Sequence, residues 1–332
     1  MKAIILNGFG GTDQFSVADL PLPAVQHDEV LIELKASGFN PIDYQMRLGL
    51  RESELMNSPV MGIELSGIVI NAGANTKGFK TGDEVMALCG TDGSNGSYAQ
   101  FMTLNYLFLA HKPANISFEA AAAVPTSGST AFLCFAKMTK SNQSSVFING
   151  AAGGVGRFLI SLLKAAGWNN IVATAGNEQS TAALLDLGLL PSQIINYRHP
   201  DFEQDILKAN ANQQFDYAID LVGGEIAETA ARLLKTEGTY LDITFLGTPK
   251  TREMLFDKGC TIINISGYAH ALEGNFAWYG ETLDQLAELI AQEKIKPPFV
   301  NIIGELNLKT VQEAHRLMEN NQINGKKLIM SI

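Results

Sequence analysis

Along about the first 110 residues, short apolar runs alternate with turn-forming residues. KAIIL, EVLIELKASGF, ELSGIVINAG, DEVMAL and SYAQFMTL place β-branched and other apolar residues between Gly, Asn and Asp breaks. This is the pattern of strands joined by tight turns. A strand-rich stretch with no long helical period predicts a barrel-like or sandwich unit. Beyond HKPANISFEAAAAVP the pattern changes, with Ser117 a candidate N-cap two residues ahead of Glu119. From Ser145 onward, apolar strands alternate with helical segments. SVFING precedes VGRFLISLLKAAG, in which Val155, Phe158, Leu159, Leu162, Leu163 and Ala166 recur at helical spacing. NIVATA, STAALLDLG, QIINY, FDYAIDLVG, AETAARLLK, GTYLDI and CTIINISG continue the alternation. Six strands separated by helical or loop segments predict a doubly wound parallel sheet. Two helical segments close the chain, roughly 282–292 and 309–320, separated by Pro297 and Pro298. A terminal strand, KKLIMSI, then returns toward the first domain.

Length and composition fit this division. The chain has 332 residues, 46% of them apolar and 17% charged, enough for two domains with cores. A net charge of −10 argues against a polyanion-binding surface, so no nucleic acid is expected. No run of about 18 apolar residues predicts a membrane span. The first residues read as a strand rather than a secretory signal. Cys89, Cys134 and Cys260 are odd in number and far apart, implying neither a disulfide framework nor a Cys-rich metal site. Cytoplasm is the expected compartment.

The segment NGAAGGVGR, Asn149–Arg157, sits between a predicted strand and an amphipathic helix. A dinucleotide loop needs glycine where backbone approaches pyrophosphate and where helix packs on strand. Gly153 and Gly156 take those places, and Ala151 stands where the first glycine of the motif falls. Gly154 and Val155 lie between them at the helix start, where N–H groups and helix dipole favour phosphate. No Lys-Ser or Lys-Thr pair follows, so this is not a P-loop. The strand end expected to meet the ribose reads Thr174, Ala175, Gly176, Asn177 and carries no acid. NADP(H) is therefore favoured, with Asn177, Ser180, Tyr197 and Arg198 available to its 2′-phosphate. A looser site that accepts either cofactor is the alternative. The strand ends at Asp220–Val222 and Thr244–Leu246, including Val222 and Phe245, are expected to border the cofactor.

The order of GFNPIDYQMRLG, GIELSG, FKTGDEVMAL, GSYAQF, AAAVPTSGSTAF, NGAAGGVGR, IINYR and GKKLIM resembles the medium-chain dehydrogenase/reductase superfamily. Within it the likeness is closest to the zinc-free quinone oxidoreductase branch, and it runs from Met1 to Ile332. The resemblance implies an α/β fold with a GroES-like β-rich catalytic domain over 1–120 and 268–332. A Rossmann domain with a doubly wound parallel six-stranded sheet is implied over 121–267. It also implies a cleft between them for the nicotinamide, with Thr126 nearby, and a homodimer joined through the Rossmann sheet edges.

Alcohol dehydrogenases of the superfamily bind a catalytic zinc, which needs three protein ligands and an open position. By the resemblance, Asn40 stands at the first Cys, Ile63 at the His of the Gly-His-Glu motif and Thr126 at the third ligand. Glu64 remains, while Ile42 and Gln45 replace the proton-relay hydroxyl and His. The four-Cys lobe is missing, so no metal is expected. Without a Lewis acid, quinones and α,β-unsaturated carbonyls are the tractable acceptors, because conjugation spreads the arriving charge to an oxygen. Asn40 is a candidate amide donor to that oxygen, or else a cap of the turn before Pro41. Tyr44 is a candidate proton donor or enolate stabiliser, or else a packing residue.

Two departures stand out. Many quinone reductases of this branch carry a tyrosine where this chain has Gln45. NADPH-preferring members often carry a lysine after the second strand, where the nearest match is Ser180. Asp43 and Arg47 are expected to form a structural pair, and most of the histidines, His27, His111, His199, His270 and His315, to lie at the surface. HALEGNFAWYG is either a pocket wall or dimer packing. The expected activity is zinc-independent, NADPH-dependent reduction of a small quinone or enone. The alternative is an inactive NADP(H)-binding relative serving as a sensor, RNA-binding or structural protein.

Overall fold

A computed structural model describes residues 1–91, 93–323 and 325–332. The chain divides into two compact units, one made of Met1–Ser129 with Gly267–Ile332 and the other of Thr130–Ser266. The second unit begins later than residue 121, within a helix.

The first unit opens with strands β1 (Lys2–Leu6) and β2 (Phe15–Asp19), an antiparallel pair with Leu6 opposite Phe15. Next come β3 (Glu29–Gly38), helix α1 (Pro41–Arg47), β4 (Glu64–Ala72), β5 (Glu84–Leu88), β6 (Phe101–Asn105) and β7 (Leu109–His111). Helices α2 (Phe118–Ala122) and α3 (Pro125–Ala136) follow. Ser117 does cap α2, its side chain accepting the Ala120 N–H. Helix α1 is a departure from the all-strand reading of this region. Pro41 supplies a preset first turn, and the Asp43 carboxylate accepts the Asn40 N–H at 2.7 Å. Seven residues show too little periodicity to stand out in the sequence.

The second unit alternates strand and helix throughout: β8 (Val146–Ile148), α4 (Gly154–Ala165), β9 (Ile171–Ala175), α5 (Glu178–Asp186), β10 (Ile194–Asn196), α6 (Phe202–Ala209), β11 (Phe215–Asp220), α7 (Gly224–Leu233), β12 (Leu234–Asp242), α8 (Pro249–Asp257) and β13 (Thr261–Asn264). Its six strands are all parallel, in the order β10-β9-β8-β11-β12-β13. Strand order reverses direction between β8 and β11, which is the switch point of a Rossmann sheet, where such sheets bind ligands.

The chain then rejoins the first unit through α9 (Tyr268–Leu272), α10 (Ala277–Ala291), β14 (Val300–Glu305), α11 (Leu308–Glu319) and β15 (Lys327–Ser331). The seven-stranded sheet runs β14-β15-β3-β4-β5-β7, with β6 also pairing β3. Ile329 lies opposite Gly38, and the Phe39 N–H donates to Leu328 at 3.0 Å, so β15 brings Lys327 beside Asn40. The core under this corner joins both chain ends: Ile4, Phe39, Met46, Tyr98, Val311 and Leu328 are packed in one cluster.

His27, His111 and His199 are exposed, as expected of most of the histidines, but His315 is an exception and the expected Asp43–Arg47 pairing is corrected. His315 is fully buried, its ring edge-on to Phe15 and its Nε2 3.3 Å from the Tyr98 hydroxyl. It lies on the inward face of the amphipathic α11, which isolated histidine spacing does not report. Arg47 does not pair with Asp43. Its guanidinium reaches the Gly10 carbonyl and the Glu319 carboxylate, while Asp43 turns back to cap α1.

Candidate active site

In the second unit the chain leaves β8 at Asn149, turns through Gly150 at φ +63°, and enters α4 with Gly153 as N-cap. Gly153 has no side chain to cap the helix, so the first N–H groups of α4 meet no capping oxygen. By contrast α5, α8 and α11 are capped by Asn177, Thr248 and Asn307. Gly156 is fixed by packing: a Cβ there would lie 2.5 Å from the Ala151 carbonyl oxygen and 2.6 Å from its Cα. Ala151 is fully buried, whereas Gly153, Gly154 and Val155 are half-exposed at the helix mouth. These features fit a pyrophosphate held by backbone N–H groups.

Asp220, fully buried at the end of β11, ties the neighbouring loops together. Its Oδ1 accepts from Asn149 Nδ2 at 2.8 Å and from the N–H groups of Val222 and Gly223 at 3.1 and 2.9 Å. Its Oδ2 accepts the Tyr240 hydroxyl at 2.8 Å. Asn149 completes the link by accepting the Leu221 N–H at 2.7 Å. Val222 and Phe245 emerge from this braced edge, 46% and 75% exposed, with Phe245 at φ +56°. An apolar, solvent-facing rim at the carboxyl edge of the sheet suits a nicotinamide or its ribose.

At the far end of the sheet, Thr174 is buried in β9 and the Asn177 side-chain oxygen caps α5 through the Ser180 N–H at 2.8 Å. Tyr197 is 42% exposed, and its ring lies against Gly176, where a Cβ would come within 2.3 Å of the hydroxyl. A pocket of about 350 Å³ opens here, lined by Asn177, Glu178, Thr181, Ala182, Leu185 and Asn196. Its one ionisable lining residue is Glu178, an acid that lies in the first turn of α5 rather than at the end of β9, where a ribose-binding carboxylate is expected.

The first unit gathers Asn40, Glu64, Thr126 and Lys327. Asn40 Nδ2 donates to Glu64 Oε1 at 2.9 Å, and Lys327 Nζ lies 2.5 Å from both Asn40 Oδ1 and Glu64 Oε1. The Thr126 N–H donates to Glu64 Oε2 at 2.9 Å. Glu64 is fully buried and Asn40 and Lys327 nearly so. Asn40 occupies the N-cap position of α1, but its side chain turns away from the helix into this ion pair. Tyr44, one turn along α1, is half-buried and packs on the core cluster. Behind Asn40 lies Asp43, whose pKa is raised to about 7 by burial, against the opposing bond from Asn40. Lys327 was missed in the sequence. The signal was there in outline: an acid within GIELSG and a base opening KLIM, each in an apolar strand, need a partner.

An amide, the buried aliphatic side chain of Ile63 and a threonine stand where zinc ligands are expected, and an ammonium already compensates Glu64. Among the described residues, no group of three His, Cys, Asp or Glu side chains could hold a metal ion.

Comparison with known proteins agrees with this architecture. The "Alcohol dehydrogenase GroES-like domain" profile matches residues 26–114, and the "Zinc-binding dehydrogenase" profile matches residues 192–329. The chain is 29% identical to a 2-methylene-furan-3-one reductase of Solanum lycopersicum, over 100% of this chain and 79% of that protein. It is 27% identical to a chloroplastic NADPH-dependent alkenal/one oxidoreductase of Arabidopsis thaliana, over 100% of this chain and 80% of that one. The Escherichia coli quinone oxidoreductase solved with NADPH superposes with a TM-score of 0.85 at 26% identity, covering 100% of both chains. With a GroES-like sheet unit and a six-stranded Rossmann unit, the chain belongs to the medium-chain dehydrogenase/reductase superfamily of oxidoreductases. Among its relatives are proteins named as a furanone reductase, an alkenal/one oxidoreductase and a quinone-oxidoreductase homolog.

Proposed function

We propose that the protein is a zinc-independent reductase that passes hydride from NADPH to a small quinone or α,β-unsaturated carbonyl. The observation that carries this reading is the Asn40 site: a buried amide donor held by an ion pair where zinc-dependent relatives place metal ligands. The dinucleotide, when bound, supplies the hydride. The α4 entry at Gly153–Gly156 would hold its pyrophosphate, with Val222 and Phe245 lining its nicotinamide half and Thr174, Asn177, Ser180 and Tyr197 its adenosine half.

The chain's own residues then manage charge and protons. Hydride arriving at the β-carbon of an enone moves an electron pair onto the carbonyl oxygen, and a proton must later reach the α-carbon. Asn40 Nδ2 carries two hydrogens and commits one to Glu64, leaving one for the developing oxyanion. Tyr44 is the candidate proton donor, its phenol on the same short helix. No carboxylate ends β9, which favours NADPH, although Glu178 in the adjacent pocket tempers discrimination against NADH. By analogy with the superfamily, the functional unit is a homodimer joined at β13, the sheet-edge strand on which Ile262 is 39% exposed.

The test is oxidation of NADPH by 1,4-benzoquinone, 9,10-phenanthrenequinone and a small enone, each before and after dialysis against a chelator. Turnover of at least one acceptor, unaffected by the chelator, is expected. Tight NADPH binding without turnover of any acceptor would instead leave a non-catalytic cofactor-binding protein, and loss of turnover on chelation would restore a metal mechanism.

A further inference from the structure

The Asn40 amide has one orientation enforced by charge. Its oxygen faces the Lys327 ammonium and its nitrogen faces the Glu64 carboxylate. Flipping the amide would set NH₂ against ammonium and carbonyl against carboxylate, two repulsions in a buried setting. Glu64 is in turn anchored from its other oxygen by the Thr126 N–H. The space for its carboxylate exists because residue 38 is glycine: a Cβ there would lie 2.2 Å from Glu64 Oε1 and 2.8 Å from the Ala122 carbonyl oxygen. Lys327 reaches this point from β15, across a sequence separation of 287 residues. The Lys327 ammonium thus meets the Asn40 amide oxygen as closely as it meets the Glu64 carboxylate, a contact beyond neutralising Glu64.

We propose that Lys327 is a positioning residue for the Asn40 donor, a protein cation working where zinc-dependent relatives use the metal. The proposal rests on the reductase reading for its consequence, but not for its geometry. Lys327 draws electron density from the Asn40 carbonyl and so strengthens the remaining Nδ2–H as a donor to an oxyanion. Glu64 keeps the pair neutral and holds the nitrogen in place. The acceptor class follows: a carbonyl oxygen that gains charge as hydride arrives at a conjugated carbon, with no metal needed to receive it.

Lys327→Met alone leaves a buried carboxylate uncompensated and is liable to unfold. The informative variant is therefore the double change Lys327→Met with Glu64→Gln, which removes both charges, with Lys327→Arg as the charge-retaining control. The first readout is the Asn40 side-chain amide pair in a ¹⁵N–¹H spectrum, assigned by its loss in Asn40→Asp. In the double variant, with its melting transition retained, the two Asn40 protons are expected to lose their protection from solvent exchange. The second readout is kinetic. With an enone, kcat is expected to fall roughly 10- to 100-fold, the scale for weakening one oxyanion donor, while NADPH affinity stays unchanged. Lys327→Arg should recover part of kcat.

An Asn40 amide equally protected in the double variant, together with an unchanged kcat, would overturn the proposal. If the wild-type protein reduces no acceptor but Asn40 protection still depends on Lys327, the reductase reading fails and the positioning role stands.

Discussion

Gly38 decides whether Glu64 has room. A Cβ at this position would overlap Glu64 Oε1 and press on the Ala122 carbonyl. Gly38→Ala is expected to cost about 1–3 kcal/mol, the usual scale of overpacking, measurable by urea unfolding, and to disturb the Asn40 site. Stability unchanged by this substitution would mean that Glu64 is held elsewhere. Two buried groups nearby respond to pH with opposite sign. Burial lifts the Asp43 pKa from 3.8 to about 7, so between those values the folded protein holds a proton that the unfolded chain has released. That contribution to stability is full below 3.8 and is lost as pH rises toward 7. Burial, and then the charge on Arg47, lower the His315 pKa from 6.5 to about 3, so its contribution is full above 6.5 and is lost as pH falls. The two slopes oppose each other between 3.8 and 6.5. Relative to wild type, stability of Asp43→Asn should rise more steeply with pH across this window, and that of His315→Gln should fall. Denaturant midpoints at each end of the window test this, and parallel profiles in all three proteins would contradict it. None of this was legible in the sequence. The spacing Asp43–Arg47 fits a helical pair, but α1 is capped by Asp43 while Arg47 turns to Gly10 and Glu319.

At the scale of elements, the glycine loop was readable because its requirements are local: a strand before it, an amphipathic helix after it, and glycine where backbone packs on backbone. Its support was not readable. Asp220 ends β11, Tyr240 lies in β12 and Asn149 directly follows β8, three strands adjacent in the sheet but separated in sequence. Asp220→Ala removes the acceptor of two loop N–H groups, one amide and one phenol. It is expected to destabilise by about 1–3 kcal/mol, the range for buried groups left unsatisfied, and to weaken NADPH binding in a fluorescence titration. Binding at wild-type strength would show that the loop after β11 holds its shape unaided. At the other end of the sheet, Glu178 lines the pocket beside Asn177. Glu178→Gln should raise affinity for NADPH several-fold and leave NADH unchanged, since only NADPH brings a second dianionic phosphate; equal effects on both would place the 2′-phosphate elsewhere. Helix α1 escaped notice for a different reason, because seven residues hold too little of a 3.6-residue period to be distinguished from a turn.

For the whole molecule, strand-helix alternation over residues 146–264 predicts a doubly wound parallel sheet, and the structure adds its strand order. The return of the last 66 residues, Gly267–Ile332, to the first unit is a long-range feature that the resemblance implied and composition does not encode. It puts Lys327 next to Asn40 and so converts a list of missing zinc ligands into a different electrostatic design. Hydride transfer to a conjugated carbon without a metal leaves an isotopic record in the product. The most direct measurement is mass analysis of the product after single turnover of an enone with NADPH deuterated at the transferable position of C4, in the presence of chelator. One deuterium on the β-carbon of the saturated product is the expected result. Consumption of NADPH without deuterium in the product, or saturation only when zinc is restored, would contradict it.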